Sequence, residues 1–433
     1  MRRLFRFLST RPILGPVAEY AMTIGWLMHL RHAWTYREVL KSSSPYDENT
    51  LPHREDLVIT SRNLLMPGFS GVNFWVENLA RALNQVFKVT IYCQGRYFFR
   101  REEFTRNGIT IVALPILLNM RHLKLPLYSA WSSTLKNELR KNPKIRIVIA
   151  PLSGVESFGL SQIQGLKVFT LLVTDERTHR FPGLTTKEIL EFDKFDSRTL
   201  EIVSREFSIL NEKNTGFLAD SSEVIKHLQK LFEIDLNGRA SVLPINISID
   251  TCEKVEKENI FFYIGRCDLR KDLKTLLNSW ESVFPFLPTW KLVIATSGGD
   301  DYLTFSRVSK MSKQGLGLDL VLDIDDVKKH DFLMRSKVVV YPSRYESFGI
   351  VALEAMQHGC VTIASNVGGL PEVLGDAGIF FEVGSEVELG VKMLSLATNS
   401  SSLGLLKNRS FDRSLNFSDQ LVLDLFIKIL SDS

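Results

Sequence analysis

From about residue 56 onward, short apolar runs alternate with segments whose apolar residues recur at helical spacing. A strand is predicted at Leu57 to Thr60, a helix at Val72 to Leu83 and a second strand at Val89 to Cys93. Strand, helix and strand in this order form a βαβ unit. The remaining predicted strands of the first half share the same apolar character and cover Ile109 to Leu114, Ile145 to Ala150, Val168 to Val173, Gly216 to Ala219 and Ala240 to Leu243.

The second half repeats this rhythm without repeating the sequence. Its predicted strands cover Ile260 to Ile264, Lys291 to Ala295, Leu320 to Leu322, Val338 to Tyr341, Val361 to Ala364 and Ile379 to Phe381. Helical patterns lie between them. Continuous apolar strands are typical of parallel sheets covered on both faces. The pattern therefore predicts an α/β protein with two doubly wound, Rossmann-like domains that face each other across a cleft.

A chain of 433 residues is too long for a single hydrophobic core. The charged run DTCEKVEKEN interrupts the apolar rhythm, so the divide is predicted near Ile249 to Glu258. The resulting domains are 56–250 and 251–433, preceded by a basic and apolar segment with a polar linker at 1–55. The last helix is a candidate to pack back on the first domain.

The first 30 residues begin with Arg2, Arg3 and Arg6 and continue into a mostly apolar stretch, Ile13 to Leu30. Pro16, a glutamate and two glycines interrupt that stretch, which makes a membrane-spanning helix a weak interpretation. Two interpretations stay open: an interfacial segment on a lipid surface, and a helix packed against the protein itself. No small-residue cleavage site follows, so we expect a cytoplasmic protein, at the inner face of a membrane under the first interpretation.

Composition excludes several classes of protein. Hydrophobic residues make up 45% and charged residues 24% of the chain, which is ordinary for a globular protein. A net charge of +4 over this length does not indicate nucleic-acid binding. The four cysteines lie far apart, without the spacing of a metal site, and we expect them to be reduced; they are Cys93, Cys252, Cys267 and Cys360.

Ligands of open parallel sheets bind at the carboxyl ends of strands. The strand Ile260 to Ile264 is followed by Gly265, Arg266 and, five residues later, Lys271. Glycine allows close approach of the backbone to a ligand, and two cations at this edge could neutralise a diphosphate. Basic residues in a solvated loop are the alternative interpretation.

The strand Val338 to Tyr341 is followed by a loop and a helix that carry two carboxylates, Glu346 and Glu354. Glu354 lies two turns into a helix with apolar neighbours, where an unpaired carboxylate is costly. A ribose diol is a suitable partner because its two hydroxyls can donate to one carboxylate. Pairing with an internal arginine is the alternative.

The segment from Tyr341 to Leu374 resembles the donor-site signature of the family 4 retaining glycosyltransferases, which have the GT-B fold. The two glutamates separated by seven residues, the turn at Gly359 and the loop from Gly368 to Glu372 follow the family order. The upstream Gly265 turn does so as well. The resemblance extends from about residue 56 to the C-terminus and is strongest over 260–385.

This resemblance implies catalytic roles for Glu346, Arg266 and Lys271. Arg266 and Lys271 would bind the donor diphosphate, Glu354 the ribose, and Glu346 would lie beside the transferred sugar. A helix opening at Ser347 would add the positive end of its dipole. The donor-binding set that the resemblance implies comprises Gly265, Arg266, Lys271, Phe348, Gly349, Ile350, Glu354 and Gly71.

The first domain departs from the family pattern at the expected glycine pair, at an expected histidine and at 243–250, which lacks the glycine of a family segment at the domain junction. Ser70 stands where the first glycine of a glycine pair is expected, which leaves Gly71 as the better match. Many members carry a histidine after a strand near the sugar, but neither 150–154 nor 173–176 contains one. Asp175 or His179 could substitute, and surface-loop residues are the plainer interpretation of both.

The run Asp323-Ile324-Asp325-Asp326 has the Asp-x-Asp spacing of metal-dependent glycosyltransferases of the other major fold. It lies between a predicted strand and a helix, where aspartate is favoured as an N-cap and in the first turn. Helix capping is therefore the better interpretation. We expect no metal and no cofactor beyond the nucleotide-sugar donor.

The sequence predicts a retaining hexosyl- or glycosyltransferase that moves a sugar from a nucleoside diphosphate sugar to an acceptor hydroxyl. A glycan or glycolipid of polysaccharide biosynthesis is the expected acceptor, and peripheral membrane association is an expectation as well. The alternative is a non-catalytic nucleotide-sugar-binding protein of the same fold. A Rossmann-type oxidoreductase fits poorly because no GxGxxG follows an early strand.

Overall fold

The computed structural model of the protein describes residues 55–61, 64, 71–95, 101–115, 127–152, 156–172, 197–247, 255–299 and 301–432. Within these residues the strands form two separate sheets, one of eight strands and one of six. The predicted N-terminal segment and the residues Ser70, Asp175, His179 and Cys252 lie outside the described residues.

The first sheet has the order β3-β4-β2-β1-β5-β6-β7-β8. Its strands are β1 (Asp56–Thr60), β2 (Lys88–Gln94), β3 (Glu102–Arg106), β4 (Ile109–Leu114), β5 (Ile147–Pro151), β6 (Lys167–Leu172), β7 (Thr215–Ala219) and β8 (Ala240–Val242). All neighbours are parallel except β3 and β4, which pair antiparallel. The helices of this half are α1 (Gly71–Leu83), α2 (Leu127–Lys141), α3 (Ser197–Leu210) and α4 (Ser222–Phe232).

The second sheet is parallel throughout, with the order β11-β10-β9-β12-β13-β14. Its strands are β9 (Glu258–Ile264), β10 (Lys291–Thr296), β11 (Leu318–Leu322), β12 (Ser336–Tyr341), β13 (Val361–Ser365) and β14 (Gly378–Phe381). The helices that follow β9 onward are α5 (Leu273–Val283), α6 (Tyr302–Lys313), α7 (Asp326–Arg335), α8 (Ile350–Gln357), α9 (Leu370–Leu374), α10 (Glu386–Thr398), α11 (Ser400–Ser414) and α12 (Asp419–Asp432).

The expected α/β architecture with two mainly parallel sheets is confirmed, and one strand was not anticipated. β3 alternates partly exposed and exposed positions because it lies at the sheet edge, where it carries Glu102, Glu103 and Arg106. An edge strand exposed to water needs no apolar run. The sequence analysis did not predict β3, and its pairing with β4 is antiparallel.

Helix α12 follows the second sheet in the chain but packs against the first half. The Phe426 ring meets Phe87 and Phe169 edge-on, with centroid distances of 6.0 and 5.6 Å. Arg81 of α1 holds Asp419 through two nitrogens, at 2.7 and 2.9 Å. The chain thus crosses between the two halves twice, once before β9 and once before α12.

The two halves share buried apolar surface. One continuous core cluster contains Leu57 and Trp75 from the first half, and Phe262 and Phe348 from the second. None of the helices in the described part of the chain has the length and apolar character to cross a membrane.

Candidate active site

The second sheet reverses its strand order between the neighbouring strands β9 and β12. In doubly wound sheets the loops that follow such a pair diverge to opposite faces and leave a crevice for ligands. The two loops here are 265–272 and 342–349, the same two that the sequence singled out. The topology therefore brings both motifs to one edge of the sheet.

Lys271 and Glu346 join the two loops through an ion pair between Nζ and Oε2. Only 15% and 12% of their side chains are exposed. Arg270 Nη1 lies 4.0 Å from the other carboxylate oxygen, and Lys271 Nζ also lies 5.8 Å from the centre of the Tyr341 ring. Sequence reasoning did not assign Arg270, although it is a third basic residue in the same turn.

Arg266 is placed differently from Lys271. Its side chain is 58% exposed and its Nε lies 3.6 Å from Asp268. The backbone of this turn is fixed by Tyr263, whose hydroxyl donates to the Arg266 carbonyl at 3.0 Å. A Cβ at Gly265 would come within 2.9 Å of that hydroxyl, so glycine is needed here.

The loop that carries Glu346 leads into α8 through Gly349, which has a φ of 96°. A Cβ at this position would lie 2.6 Å from Leu370. The expected helix start at Ser347 was wrong: α8 begins at Ile350, because the left-handed conformation of Gly349 cannot belong to a right-handed helix. Phe348 is 2% exposed and its ring meets Phe417 edge-on at 5.7 Å.

The backbone of Gly368 and Gly369 packs directly against the loop that carries Glu346. The amide of Gly369 donates to the Glu346 carbonyl at 2.9 Å. Added Cβ atoms would lie 1.9 Å from that oxygen at Gly368 and 2.0 Å from the Ser347 oxygen at Gly369. The pair is therefore a close backbone contact that sets the position of the Glu346 loop, and a plain turn does not describe it.

Glu354 lies inside α8 and pairs with Lys329 of α7 at 2.8 Å. The alternative of an internal arginine partner was wrong in residue type, because the pairing side chain is a lysine. Burial raises the pKa of the Glu354 carboxyl, and the nearby Lys329 opposes that rise. Its Oε2 is buried and has no hydrogen-bond partner within the described residues.

The first half reaches this crevice through Gly71, where α1 begins. A Cβ there would lie 3.4 Å from Cδ1 of Ile350, the residue at which α8 begins. The first residues of the two helices therefore lie close together where the two halves meet. The initial amides of a helix have no partner within it, and its dipole makes this end positive.

The first sheet has its own reversal point between β1 and β5. Thr60 at the end of β1 donates to the buried carboxylate of Glu156 at 2.6 Å, which links the segments that follow the two strands. Sequence reasoning missed Glu156. Its signal is a carboxylate a few residues beyond a predicted strand.

The Asp-x-Asp run caps a helix, as expected. The Asp325 side chain accepts from the Lys328 amide at 2.8 Å, and Asp326 in the first turn lies 3.2 Å from Lys329 Nζ. Among the described residues, no group of three or more histidines, cysteines or carboxylates could hold a metal ion.

A second contact between the halves lies beside the Glu346 loop. Ser221 Oγ donates to the Ser347 carbonyl at 2.7 Å, and the amide and hydroxyl of Ser222 donate to Glu372 at 2.9 and 2.8 Å. Sequence reasoning missed these residues. They directly follow the predicted strand that ends at Ala219, so the rule that ligands bind beyond strand ends would have found them.

Solved structures share this two-domain arrangement. Sucrose-phosphate synthase from Thermosynechococcus elongatus superposes with a TM-score of 0.68 and 17% identity, over 88% of this chain and 100% of that one. WaaG, a glycosyltransferase involved in lipopolysaccharide biosynthesis, gives a TM-score of 0.63 and 15% identity, over 87% and 100%. The chain therefore has the GT-B fold.

Curated relatives match about a third of the chain or less. O-antigen chain mannosyltransferase B of Escherichia coli is 32% identical over 120 residues, which are 27% of this chain and 31% of that protein. Alpha-maltose-1-phosphate synthase of Mycolicibacterium smegmatis is 31% identical over 122 residues, also 27% and 31%. This chain thus spans about a third of the length of the curated relatives it matches.

Residues 247–409 match the family model described as glycosyl transferases group 1. The narrower assignment to family 4 stays a prediction. The matched range contains both site loops, the Lys271–Glu346 and Glu354–Lys329 pairs and the glycine pair at 368–369. Over residues 247–409 this protein is therefore similar to the glycosyl transferases group 1.

Proposed function

We propose that this protein transfers a glycosyl group from a nucleoside diphosphate sugar to an acceptor hydroxyl, with retention of anomeric configuration. The observation that carries the proposal is the proximity of Gly71 and Ile350, the first residues of two helices from different halves. The Lys271 and Arg270 side chains lie on the loop beside them, at Glu346. Backbone amides, helix dipoles and cations in one crevice suit a diphosphate.

The rate gain would come mainly from stabilising the departing diphosphate. As the bond from the sugar to the phosphate breaks, negative charge grows on the leaving oxygen, and fixed donors that face it lower the barrier. Lys271 would shift from Glu346 to the diphosphate, which frees the Glu346 carboxylate to face the sugar. Arg266, exposed at the rim, would approach the outer phosphate.

Glu354 would accept hydrogen bonds from the ribose hydroxyls. Its buried Oε2 has no hydrogen-bond partner within the described residues, which supports a role in holding a donor group. The Gly265, Phe348 and Gly349 backbones would line the donor on the same side. Contacts from both halves imply that domain closure completes the site.

The names of the relatives guide the choice of substrates. One is an O-antigen chain mannosyltransferase and another a lipopolysaccharide core biosynthesis mannosyltransferase from Rhizobium meliloti. We propose a glycan or glycolipid acceptor of surface polysaccharide assembly, in the cytoplasm at the inner face of a membrane. No metal ion is proposed for the reaction, so a chelator should leave turnover unchanged.

The test measures release of free nucleoside diphosphate from GDP-mannose, UDP-glucose and ADP-glucose, with and without glycolipid acceptors. Lys271→Ala should lower kcat/KM by about 100-fold or more, because a charge-stabilising donor is lost. Lys274→Ala is the matched control, since Lys274 is exposed three residues further on. Product anomers resolved by NMR should retain the donor configuration.

Tight donor binding without turnover across the acceptor panel would contradict the proposal and favour the non-catalytic binding protein. Equal losses in Lys271→Ala and Lys274→Ala would show that the 271 position carries no special role. A product with inverted anomeric configuration would contradict the retaining mechanism but would still be evidence of sugar transfer.

A further inference from the structure

Three consecutive residues at the end of β7 contact the Glu346 loop and α9; we name Asp220, Ser221 and Ser222 the Asp-Ser-Ser latch. The Ser221 hydroxyl lies within donating distance of two acceptors, the Ser347 carbonyl at 2.7 Å and the Asp220 carboxylate at 3.3 Å. The Ser347 side chain in turn hydrogen-bonds to Asp220. Ser347 is thus held at both its carbonyl and its side chain.

Holding Ser347 has a direct consequence for the donor site. Ser347 is bonded to Glu346 on one side and to Phe348 on the other, so its position sets the direction of the carboxylate and of the first α8 amides. Gly369 holds the same loop from the opposite side through the Glu346 carbonyl. The latch, which belongs to the first half, completes this clamp only when the two halves are docked.

The surroundings of Asp220 are acidic. The residue is 4% exposed, and the carboxylates of Glu346 and Glu372 face it from the site loop and from α9. Tyr345 of the same loop also faces it, and His227 and Glu223 of α4 reach Tyr345. Burial raises the pKa of Asp220 to about 7, although hydrogen bonds from Ser347 and Ser221 oppose the rise.

We propose that Asp220 is a positioning residue for the donor site, which docks as a neutral acid, so that closure of the two halves takes up a proton. The inference rests on the proposed function. Asp220 acts through Ser347 on the Glu346 loop and does not itself touch the donor.

The sign of the pH effect follows from the two states of Asp220. When the halves are apart, the exposed carboxyl titrates near its ordinary value of about 4. In the docked state the pKa is about 7. Between these values the docked state binds more protons, so docking weakens as pH rises through 7. KM for the donor should therefore increase by up to about tenfold from pH 6 to pH 8, with kcat changing less.

The experiment follows kcat and donor KM from pH 6 to pH 8 in the full-length protein and its variants. Asp220→Asn keeps the shape of the neutral acid, and its KM should be low and independent of pH over this range. Ser221→Ala should raise KM at every pH and keep the pH dependence. Asp235→Asn makes the same substitution at an exposed aspartate of the same half and should behave like the unaltered protein.

An Asp220→Asn variant whose KM follows pH as the unaltered protein does would overturn the inference. If that variant does not fold, calorimetry of donor binding to the unaltered protein in two buffers of different ionisation enthalpy decides. Uptake of about half a proton near pH 7 would support protonation of Asp220 on closure, and the absence of uptake would contradict it. This measurement needs binding alone, so a failure of sugar transfer would be seen separately as binding without turnover.

Discussion

Each of the two carboxylates at the site pairs with a lysine, and the two pairs differ in what remains unsatisfied. Glu346 meets both Lys271 and Arg270, one on each oxygen. Glu354 meets Lys329 on one oxygen only, and its side chain is 9% exposed. A buried ion pair stabilises a protein little, but removal of one partner leaves a buried charge at high cost.

Lys329→Met should lower the free energy of unfolding at pH 7.5 by roughly 3 kcal/mol, because Glu354 then lies buried without its cation. Urea denaturation measures this change. The deficit should shrink as pH falls towards 4.5, since burial raises the pKa of Glu354 and its carboxyl then becomes neutral in the folded variant, which removes the buried charge. Lys328→Met, at the exposed neighbouring position, is the control; an equal loss there would contradict the argument.

The sequence predicts the burial of Glu354 but does not predict its partner, Lys329. The burial of Glu354 could be predicted because its neighbours Ala352, Leu353 and Ala355 are apolar. Its partner could not, because Lys329 lies on another helix, and their contact depends on the packing of α7 and α8 against the same sheet. Residue type and local pattern predict burial, whereas pairing requires the topology.

At the scale of elements, the strongest local constraint is the contact of the 368–369 glycine pair with the loop before α8. Gly368 also has a φ of 55°, which L-residues with a side chain rarely adopt. A side chain here must displace the Glu346 carbonyl, and with it the start of α8. The donor site should therefore respond to a single methyl group on a neighbouring segment.

Gly368→Ala should raise donor KM at least tenfold and lower the melting temperature, because an added Cβ would lie 1.9 Å from the Glu346 oxygen. Steady-state kinetics and thermal unfolding measure the two effects. The matched control is Gly404→Ala in α11, where no atom lies within 4 Å of an added Cβ. That control should be neutral or slightly stabilising, and unchanged kinetics in Gly368→Ala would refute the assignment.

Elements of the second sheet were predicted to within about two residues because buried parallel strands give uninterrupted apolar runs. β3 escaped prediction since its charged residues face water at the sheet edge. The start of α8 escaped it for another reason: Ser347 is a good N-cap residue by type, but the packing of Gly349 against Leu370 decides where the helix begins.

At the scale of the whole molecule, α12 packs on the first half through a buried face that includes one aromatic side chain, Phe426. Phe426 is fully buried and packs against two phenylalanines of the first half. Phe426→Ala should lower the free energy of unfolding by about 3 to 5 kcal/mol, as for other large-to-small core changes. Ile427→Ala, at a position 40% exposed, should cost far less.

Chemical denaturation followed by tryptophan fluorescence tests this difference. Equal stability of the two variants would mean that α12 does not hold the halves together. The sequence suggested that the last helix packs back on the first domain. It could not identify Phe426 as the contact, because α12 has several apolar residues and only the docked geometry selects among them.

The two crossings between the halves touch: the Ile247 amide donates to the Phe417 carbonyl at 2.9 Å. Beside them, the buried Asn246 side chain bridges the Asn78 carbonyl and Asp419. A joint made of two chains side by side bends more readily than it twists. The two halves should therefore open and close by a hinge motion about this joint. Such a motion would bring Gly71 back to the same position beside Ile350 at every closure.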